Sequence, residues 1–372
     1  MKILYFSKGY TPHDYRFLSC LTGTDYSVYF MQSEKLPFTR ETRPLPEGIT
    51  TVTWGGCGKP LKMMNIWRLN RDLKQVLRDI RPDIVHAGPV QKGAFLTALS
   101  GFGPLITMSW GSDLLLDARR GMGRWIAEYT LGKTTVLLSD CQIVTDAAQE
   151  LGMPKERIIQ FPWGVDLDHF SPGSGSDLRQ ALGWEDAIIL LSTRNWERIY
   201  GVDHICRAFI HAASNNEKLR LIMLGDGSLR NRIGQLFQQA GLEHHVHLGG
   251  YVSYDELPKF YRAADLYISA SHVDGSSISL LEAMACGIPA IVSKIPGNQE
   301  WVKPSVNGWL FEEGSPEALA YAIEEAIRNQ DQMQEFGERS RQITEERADW
   351  GKNSEGVHQA YKLALAIQRE QS

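Results

Sequence analysis

Residues 269 to 289 read Ser269-Ala-Ser-His-Val-Asp-Gly-Ser-Ser-Ile-Ser-Leu-Leu-Glu-Ala-Met-Ala-Cys-Gly-Ile-Pro289. The stretch begins where an apolar strand, Leu266–Ser269, ends. It crosses a loop of small and polar residues and becomes a helical run from about Leu280, closed by Gly287 and Pro289. Strand, short loop and helix in that order form one half of a parallel crossover unit. Loop amides and a helix N-terminus at a sheet edge make an anion site that needs no metal, and a diphosphate is the kind of anion it suits.

Working outward, the same alternation fills the chain. Strands are expected at Ile3–Phe6, Ser27–Phe30, Thr50–Trp54, Asp83–His86, Leu105–Met108, Gln142–Thr145 and Arg157–Phe161. A second series falls at Ala187–Ser192, Arg220–Leu224, Val246–Leu248, Leu266–Ser269, Ala290–Ser293 and Trp309–Phe311. Their near-continuous apolarity suits parallel strands covered on both faces. Helical patterns lie between them, the clearest carrying Val202, Ile205, Cys206, Phe209, Ile210 and Ala213. A seam rich in Gly, Ser and Pro, Phe170-Ser-Pro-Gly-Ser-Gly-Ser-Asp177, divides the two series. The fold class is therefore α/β with two parallel-sheet domains, which suits a length of 372 residues. Ligands of such sheets bind beyond the carboxyl ends of the strands, here in a crevice shared by the two halves.

Composition narrows the class further. A formal net charge of -5 argues against general nucleic-acid binding. Five scattered cysteines, none paired as C-x-x-C, disfavour a disulfide frame and a zinc site, and fit a cytoplasmic protein. The apolar run at the N-terminus is too short for a signal peptide, and no stretch approaches a membrane span.

The segment around Leu280–Pro289 closely resembles the donor motif of family 4 retaining glycosyltransferases, which have the GT-B fold of two Rossmann-like domains facing a central cleft. That motif has two carboxylates followed by L-L-E-A-M-A-C-G-x-P; here they are Asp274, where Glu is commoner, and Glu282. The resemblance implies that Asp274 contacts the transferred sugar, that Glu282 binds the ribose hydroxyls, and that Gly275 and the amides of Ser276, Ser277 and Ile278 receive phosphate. Ser279-Leu-Leu-Glu282 equally fits a capping box. After the first strand of the second series, Arg194 matches the family's phosphate-binding Arg. The family's partner Lys is replaced by Tyr200, with Arg198 two residues earlier, so either Arg198 substitutes for it or Tyr200 donates a neutral hydrogen bond in a weaker site. Gly225 of a G-x-G turn and Val252 near the nucleotide base complete the donor set, with Gly9 after the first strand. Pro296–Val302 resembles the family's G-x-x-E segment, with Glu300 in the acidic position.

By the same resemblance the domains are 1–168 for the acceptor, 169–345 for the donor, and 346–372 as an outer helix packing back on the first. Acceptor candidates are His13, Asp14, Trp110 and Asp113. Trp110 stands where the family has His and offers a ring to a sugar face; Asp113 also suits a helix cap, and His86 reads as structural. Asp166-Leu-Asp168 is a D-x-D pattern, but it precedes a linker and no converging set of hard ligands accompanies it, so neither metal nor cofactor is expected. Lys59 to Arg81 carries seven cations against Asp72 and Asp79 on an amphipathic pattern, which fits either a crossover helix or peripheral contact with an inner membrane face. The expected activity is transfer of a sugar from a UDP- or GDP-linked donor to a saccharide or lipid-linked acceptor. The alternatives are an inactive sugar-nucleotide-binding or scaffold protein and a sugar-nucleotide epimerase.

Overall fold

The structure, a computed structural model, describes residues 1–34, 41–59 and 63–371. The chain divides into two compact units, Met1–Pro162 with Lys352–Ser372, and Trp163–Gly351.

The first unit is built on seven strands: β1 (Lys2–Ser7), β2 (Ser27–Gln32), β3 (Thr50–Thr51), β4 (Ile84–Ala87), β5 (Leu105–Met108), β6 (Val136–Ser139) and β7 (Ile158–Gln160). They pair in parallel in the order β3-β2-β1-β4-β5-β6-β7. Between them run α1 (Pro12–Ser19), α2 (Ile66–Ile80), α3 (Phe95–Ser100), α4 (Gly121–Lys133) and α5 (Gln142–Glu150). Helix α2 shows why its sequence folds as it does. Ile66, Leu69, Leu73, Val76 and Leu77 recur at helical spacing and are buried, and the helix stops at Arg81, which adopts the left-handed conformation before Pro82. That apolar stripe faces the sheet, packing with Leu4, Phe6 and Val85, so the crossover reading of this helix describes its buried face. Lys62 lies outside the described residues.

The second unit has β8 (Ile188–Ser192), β9 (Leu219–Leu224), β10 (Val246–Gly250), β11 (Leu266–Ser269), β12 (Ala290–Ser293) and β13 (Gly308–Phe311), parallel in the order β10-β9-β8-β11-β12-β13. Its helices are α6 (Ser176–Leu182), α7 (Val202–Ala213), α8 (Arg230–Ala240), α9 (Leu257–Ala263), α10 (Ile278–Ala285), α11 (Pro296–Gln299), α12 (Pro316–Arg328) and α13 (Met333–Arg347), and the short α14 (Trp350–Asn353) spans the point where the chain leaves it. One core lies under α7, α8 and α12, and a second, on the other face, holds α9 and α10. In both sheets the strand order reverses beside the first strand, between β1 and β4 and between β8 and β11. Ligands of open parallel sheets bind beyond the strand ends at such a switch point.

Three expectations need correction. Gln142–Thr145 is not a strand but the first turn of α5; the strand is Val136–Ser139. Two apolar runs stand close together there, and Val144 and Ala148 are buried at helical spacing. Of Thr50–Trp54, Thr50 and Thr51 alone pair as strand. The first unit also closes at Pro162 rather than 168. Val165 bridges Asp349, and Val165 and Phe170 are buried in the core of the second unit. The last helix, α15 (Glu355–Gln371), belongs to the first unit, where the Tyr361 hydroxyl lies 2.9 Å from His86 Nδ1. His86 is fully buried, which supports its structural reading and holds its imidazole down to about 3.

Candidate functional site

The β8–β11 switch point gathers a largely buried polar cluster. Arg194 follows β8, and the loop Ala270–Ser277 joins β11 to α10. Arg194 Nη2 donates to Asp274 Oδ2 at 2.6 Å, and Nη1 to the hydroxyls of Ser277 at 2.8 Å and Ser279 at 3.1 Å. The guanidinium stacks on the Tyr200 ring at 4.1 Å. Burial opposes the charge of Arg194, but Asp274 and the neighbouring tyrosines outweigh it and hold the guanidinium above its usual range. Burial raises the Asp274 carboxyl, and Arg194 pulls it part of the way back. Arg194 Nε is buried with no hydrogen-bond partner among the described residues.

Glu282 lies one turn into α10 and is buried. Its Oε2 accepts from the Tyr261 hydroxyl at 2.8 Å, and that hydroxyl also lies 3.0 Å from Thr193 Oγ1. The capping-box alternative is not what forms. Ser277, not Ser279, is the N-cap residue, and its hydroxyl makes no capping bond. The Ser279 hydroxyl meets Arg194 and the Tyr267 hydroxyl, the latter at 2.8 Å.

Two glycines bring the loops this close. Gly225 has φ +113, and a Cβ there would stand 2.7 Å from the Arg194 carbonyl oxygen. A Cβ on Gly297 would stand 2.4 Å from the Gly275 carbonyl oxygen and 2.6 Å from that of Asp274, so the Pro296 segment is the floor of the 274–275 loop. Trp301 Nε1 donates to Ser276 Oγ at 3.3 Å from the same segment. Val252 is partly buried against the core beneath α9 and α10.

The structure joins Arg194, Tyr200, Asp274 and Ser277 directly, and reaches Glu282 through Tyr261 and Ser279. Arg198 goes elsewhere. It lines a cavity of about 190 Å³ with Asp203, His204, Leu229, Arg232 and His272, which neither Arg194 nor Asp274 lines. Tyr200 stands beside Arg194 through its ring, stacked under the guanidinium. Ser279, Tyr261 and Tyr267 escaped sequence reasoning: the tyrosines sit in apolar runs that read as core, and the serine read as a cap.

In the first unit, Gly9, His13 and Asp14 follow β1, and Trp110 and Asp113 follow β5. The His13 and Trp110 rings lie 6.2 Å apart. Both aspartates make hydrogen bonds within the unit. Asp14 is fully buried in a capping box with Thr11; its Oδ1 accepts from Tyr5 at 3.2 Å and its Oδ2 from the Thr11 amide at 2.9 Å. Burial raises its carboxyl to about 6. Asp113 Oδ1 accepts from the Ser109 hydroxyl at 2.7 Å and the amides of Trp110 and Leu114, and its Oδ2 from the Val90 amide at 2.9 Å. These bonds set the turn that carries Trp110. Gly9 is buried in the loop after β1.

Asp166 of the D-x-D pattern accepts from the amides of Asp168 and His169, both at 3.1 Å, in a local turn. Among the described residues no group of three His, Cys, Asp or Glu side chains is placed to hold a metal ion. No described helix is long and apolar enough to cross a membrane.

Both halves of the chain match known protein families. The profile of glycosyl transferases group 1 matches residues 176–343, and that of glycosyl transferase 4-like proteins matches 2–141. An uncharacterised glycosyltransferase of Methanocaldococcus jannaschii is 26% identical over 210 residues, covering 55% of this chain and 53% of the relative. The chain spans about half the length of the first curated relatives it matches. Among solved structures, Anabaena HepE in complex with UDP-glucose superposes with a TM-score of 0.80 at 20% identity, over 99% of this chain and 100% of that one. Sucrose-phosphate synthase from Thermosynechococcus elongatus gives a TM-score of 0.81 at 18% identity, over 99% and 100%. The chain belongs to the family 4-type glycosyltransferases and has their GT-B α/β fold of two Rossmann-like parallel-sheet domains.

Proposed function

We propose that this chain moves a hexose-type sugar from a uridine or guanosine diphosphate donor to a hydroxyl acceptor, a glycan or a lipid-linked saccharide, with retention of configuration. The observation that carries the reading is the Arg194 fork fixed at the β8–β11 switch point between Asp274, Ser277 and Ser279. A pyrophosphate there meets Arg194, the two hydroxyls and the N-terminal amides of α10. The carboxylate of Glu282 suits the ribose hydroxyls, and Asp274 the sugar beside them. HepE, which shares the fold, was crystallised with UDP-glucose, which favours uridine as the base.

In the reaction, the bond from the sugar's anomeric carbon to the β-phosphate oxygen breaks as the acceptor oxygen bonds to that carbon from the same face. The acceptor proton passes to the departing phosphate oxygen. Arg194 stabilises the developing charge of the diphosphate, and the Tyr200 ring keeps the guanidinium plane oriented. A cation supplied by the protein makes a divalent ion unnecessary in this scheme.

The testing experiment incubates the enzyme with a panel of sugar nucleotides and follows released nucleoside diphosphate. The reading expects slow donor hydrolysis without acceptor, with the anomeric configuration retained in the product. Hydrolysis of no sugar nucleotide would favour the inactive binding protein, and isomerised sugar nucleotide without free diphosphate would favour the epimerase.

A further inference from the structure

The loop that carries Arg194 is joined along its length to the loop after β9. A Cβ on Gly225 would meet the Arg194 carbonyl oxygen at 2.7 Å, and one on Gly227 would meet the Trp196 carbonyl oxygen at 2.5 Å and Glu197 Oε1 at 2.8 Å. So close an approach of two backbones is open only where the facing residues lack side chains. Between these contacts the Trp196 amide donates to the Asp226 carbonyl at 3.1 Å, and the Trp196 carbonyl accepts from the Leu229 amide at 2.9 Å.

Glu197 closes the pairing with its side chain. Its Oε1 accepts from the Ser228 amide at 2.9 Å and its Oε2 from the Ser228 hydroxyl at 2.6 Å. Helix α8 begins just beyond, and Leu229 at its N-cap makes no side-chain capping bond. A carboxylate reaching across from the neighbouring crossover does the work of a cap there, at the positive end of the helix. Arg230 pairs with Asp226 at 2.8 Å, while Glu197 has no cation partner among the described residues, so Ser228 and the helix end are what hold its charge.

Glu197 also stands three residues after Arg194 and three before Tyr200. Its carbonyl accepts from the Tyr200 amide at 3.0 Å, which closes the turn that sets the Tyr200 ring 4.1 Å from the Arg194 guanidinium. Holding Glu197 in place therefore holds both the stem of Arg194 and the ring beneath it. The other ties between the loops are main-chain bonds, so the Glu197 carboxylate is the point where a substitution can loosen them.

We propose that Glu197 is a positioning residue for the donor diphosphate, acting through Arg194 and Tyr200 without touching sugar or phosphate. The inference rests on the donor site placed above at Arg194. It has a distinctive sign. A carboxylate that acted only by its charge beside an anion site would weaken diphosphate binding, and its removal would tighten it. A carboxylate that only capped α8 would change stability and leave binding alone.

Calorimetric titration of UDP and GDP into the native chain, Glu197→Ala, Glu197→Gln and Ser228→Ala, with thermal unfolding of each, separates these roles. Glu197→Ala is expected to lose on the order of tenfold in affinity for the nucleotide that the native chain binds, the scale of a lost charge-assisted hydrogen bond. Glu197→Gln keeps an acceptor for the Ser228 amide and stays within about threefold of native. Ser228→Ala, at an exposed position, loses about threefold with the carboxylate intact, and it decides the matter should Glu197→Ala not fold. Native or tighter binding by Glu197→Ala, or native binding by Ser228→Ala, overturns the proposal and leaves the donor site standing. Binding of neither nucleotide by the native chain overturns the donor site, and this inference with it.

Discussion

Asp274 Oδ2 lies 2.6 Å from Arg194 Nη2, so the two residues assigned to opposite ends of the sugar–phosphate bond hold each other in a largely buried ion pair. On the proposed reading, a nucleoside diphosphate at Arg194 shares the guanidinium with this carboxylate. Breaking a buried pair by removing one partner leaves the other exposed to its full desolvation penalty.

Asp274→Asn releases Arg194 from its charged neighbour. The variant is expected to bind nucleoside diphosphate several-fold more tightly than the native protein, since less attraction within the protein opposes the new one. Transfer falls because the sugar contact is weakened. Calorimetric titration against steady-state turnover separates the two, and weaker nucleotide binding in Asp274→Asn would refute the competition.

Tyr200→Phe preserves the ring under the Arg194 guanidinium, whereas Tyr200→Ala removes it. If stacking is what Tyr200 contributes, Phe retains turnover within about threefold and Ala loses on the order of tenfold, given roughly 1 to 2 kcal/mol for a desolvated cation–π contact. Equal losses in both variants would assign the role to the hydroxyl. Tyr200→Lys, restoring the residue usual in the family, is expected to raise diphosphate affinity.

Gly297→Ala tests the floor of the donor loop. Its Cβ would lie 2.4 Å from one loop carbonyl oxygen and 2.6 Å from another, so the 274–275 loop must shift. Displacement of catalytic groups by even about 1 Å can cost two orders of magnitude in rate. The expected result is a large loss of turnover with a smaller loss of thermal stability. A variant with native turnover would show that the loop is not positioned by this contact.

His86 gives a pH signature of the first unit. Burial holds its folded-state value at about 3, below the ordinary 6.5 of an unfolded chain. Its contribution to stability is therefore present above pH 6.5 and is lost as pH falls toward 3, at up to about 1.4 kcal/mol per pH unit. His86→Gln removes that slope. The difference between native and variant unfolding free energies should narrow as pH falls through this window, and a pH-independent difference would contradict the burial argument.

Much of this molecule could be read from local pattern. Apolar runs such as Ile188–Ser192 and Leu266–Ser269 are too uniformly buried to be anything but covered parallel strands. The loop after β11 announced itself because an anion site needs small residues and a helix start. The tertiary partners of those residues were less legible. Nothing local distinguishes Tyr261, whose hydroxyl reaches Glu282, from a core aromatic, nor Asp14, which closes a cap, from a ligand. Gln142–Thr145 misled because its β-branched residues suit either element, and the choice was made by Val136–Ser139 taking the sheet position beside β5. Gly297 could be understood only once two loops distant in sequence were seen in contact.

The most direct test is calorimetric titration of UDP and GDP into the native chain and Arg194→Ala, with a chelator present throughout. The account predicts saturable binding of at least one nucleotide by the native chain without any divalent ion. It also predicts a loss on the order of a hundredfold in the variant, the scale of a charge-assisted bidentate contact together with its buried partner. Undiminished affinity in Arg194→Ala, or binding by the native chain that appears only when magnesium or manganese is supplied, would contradict it.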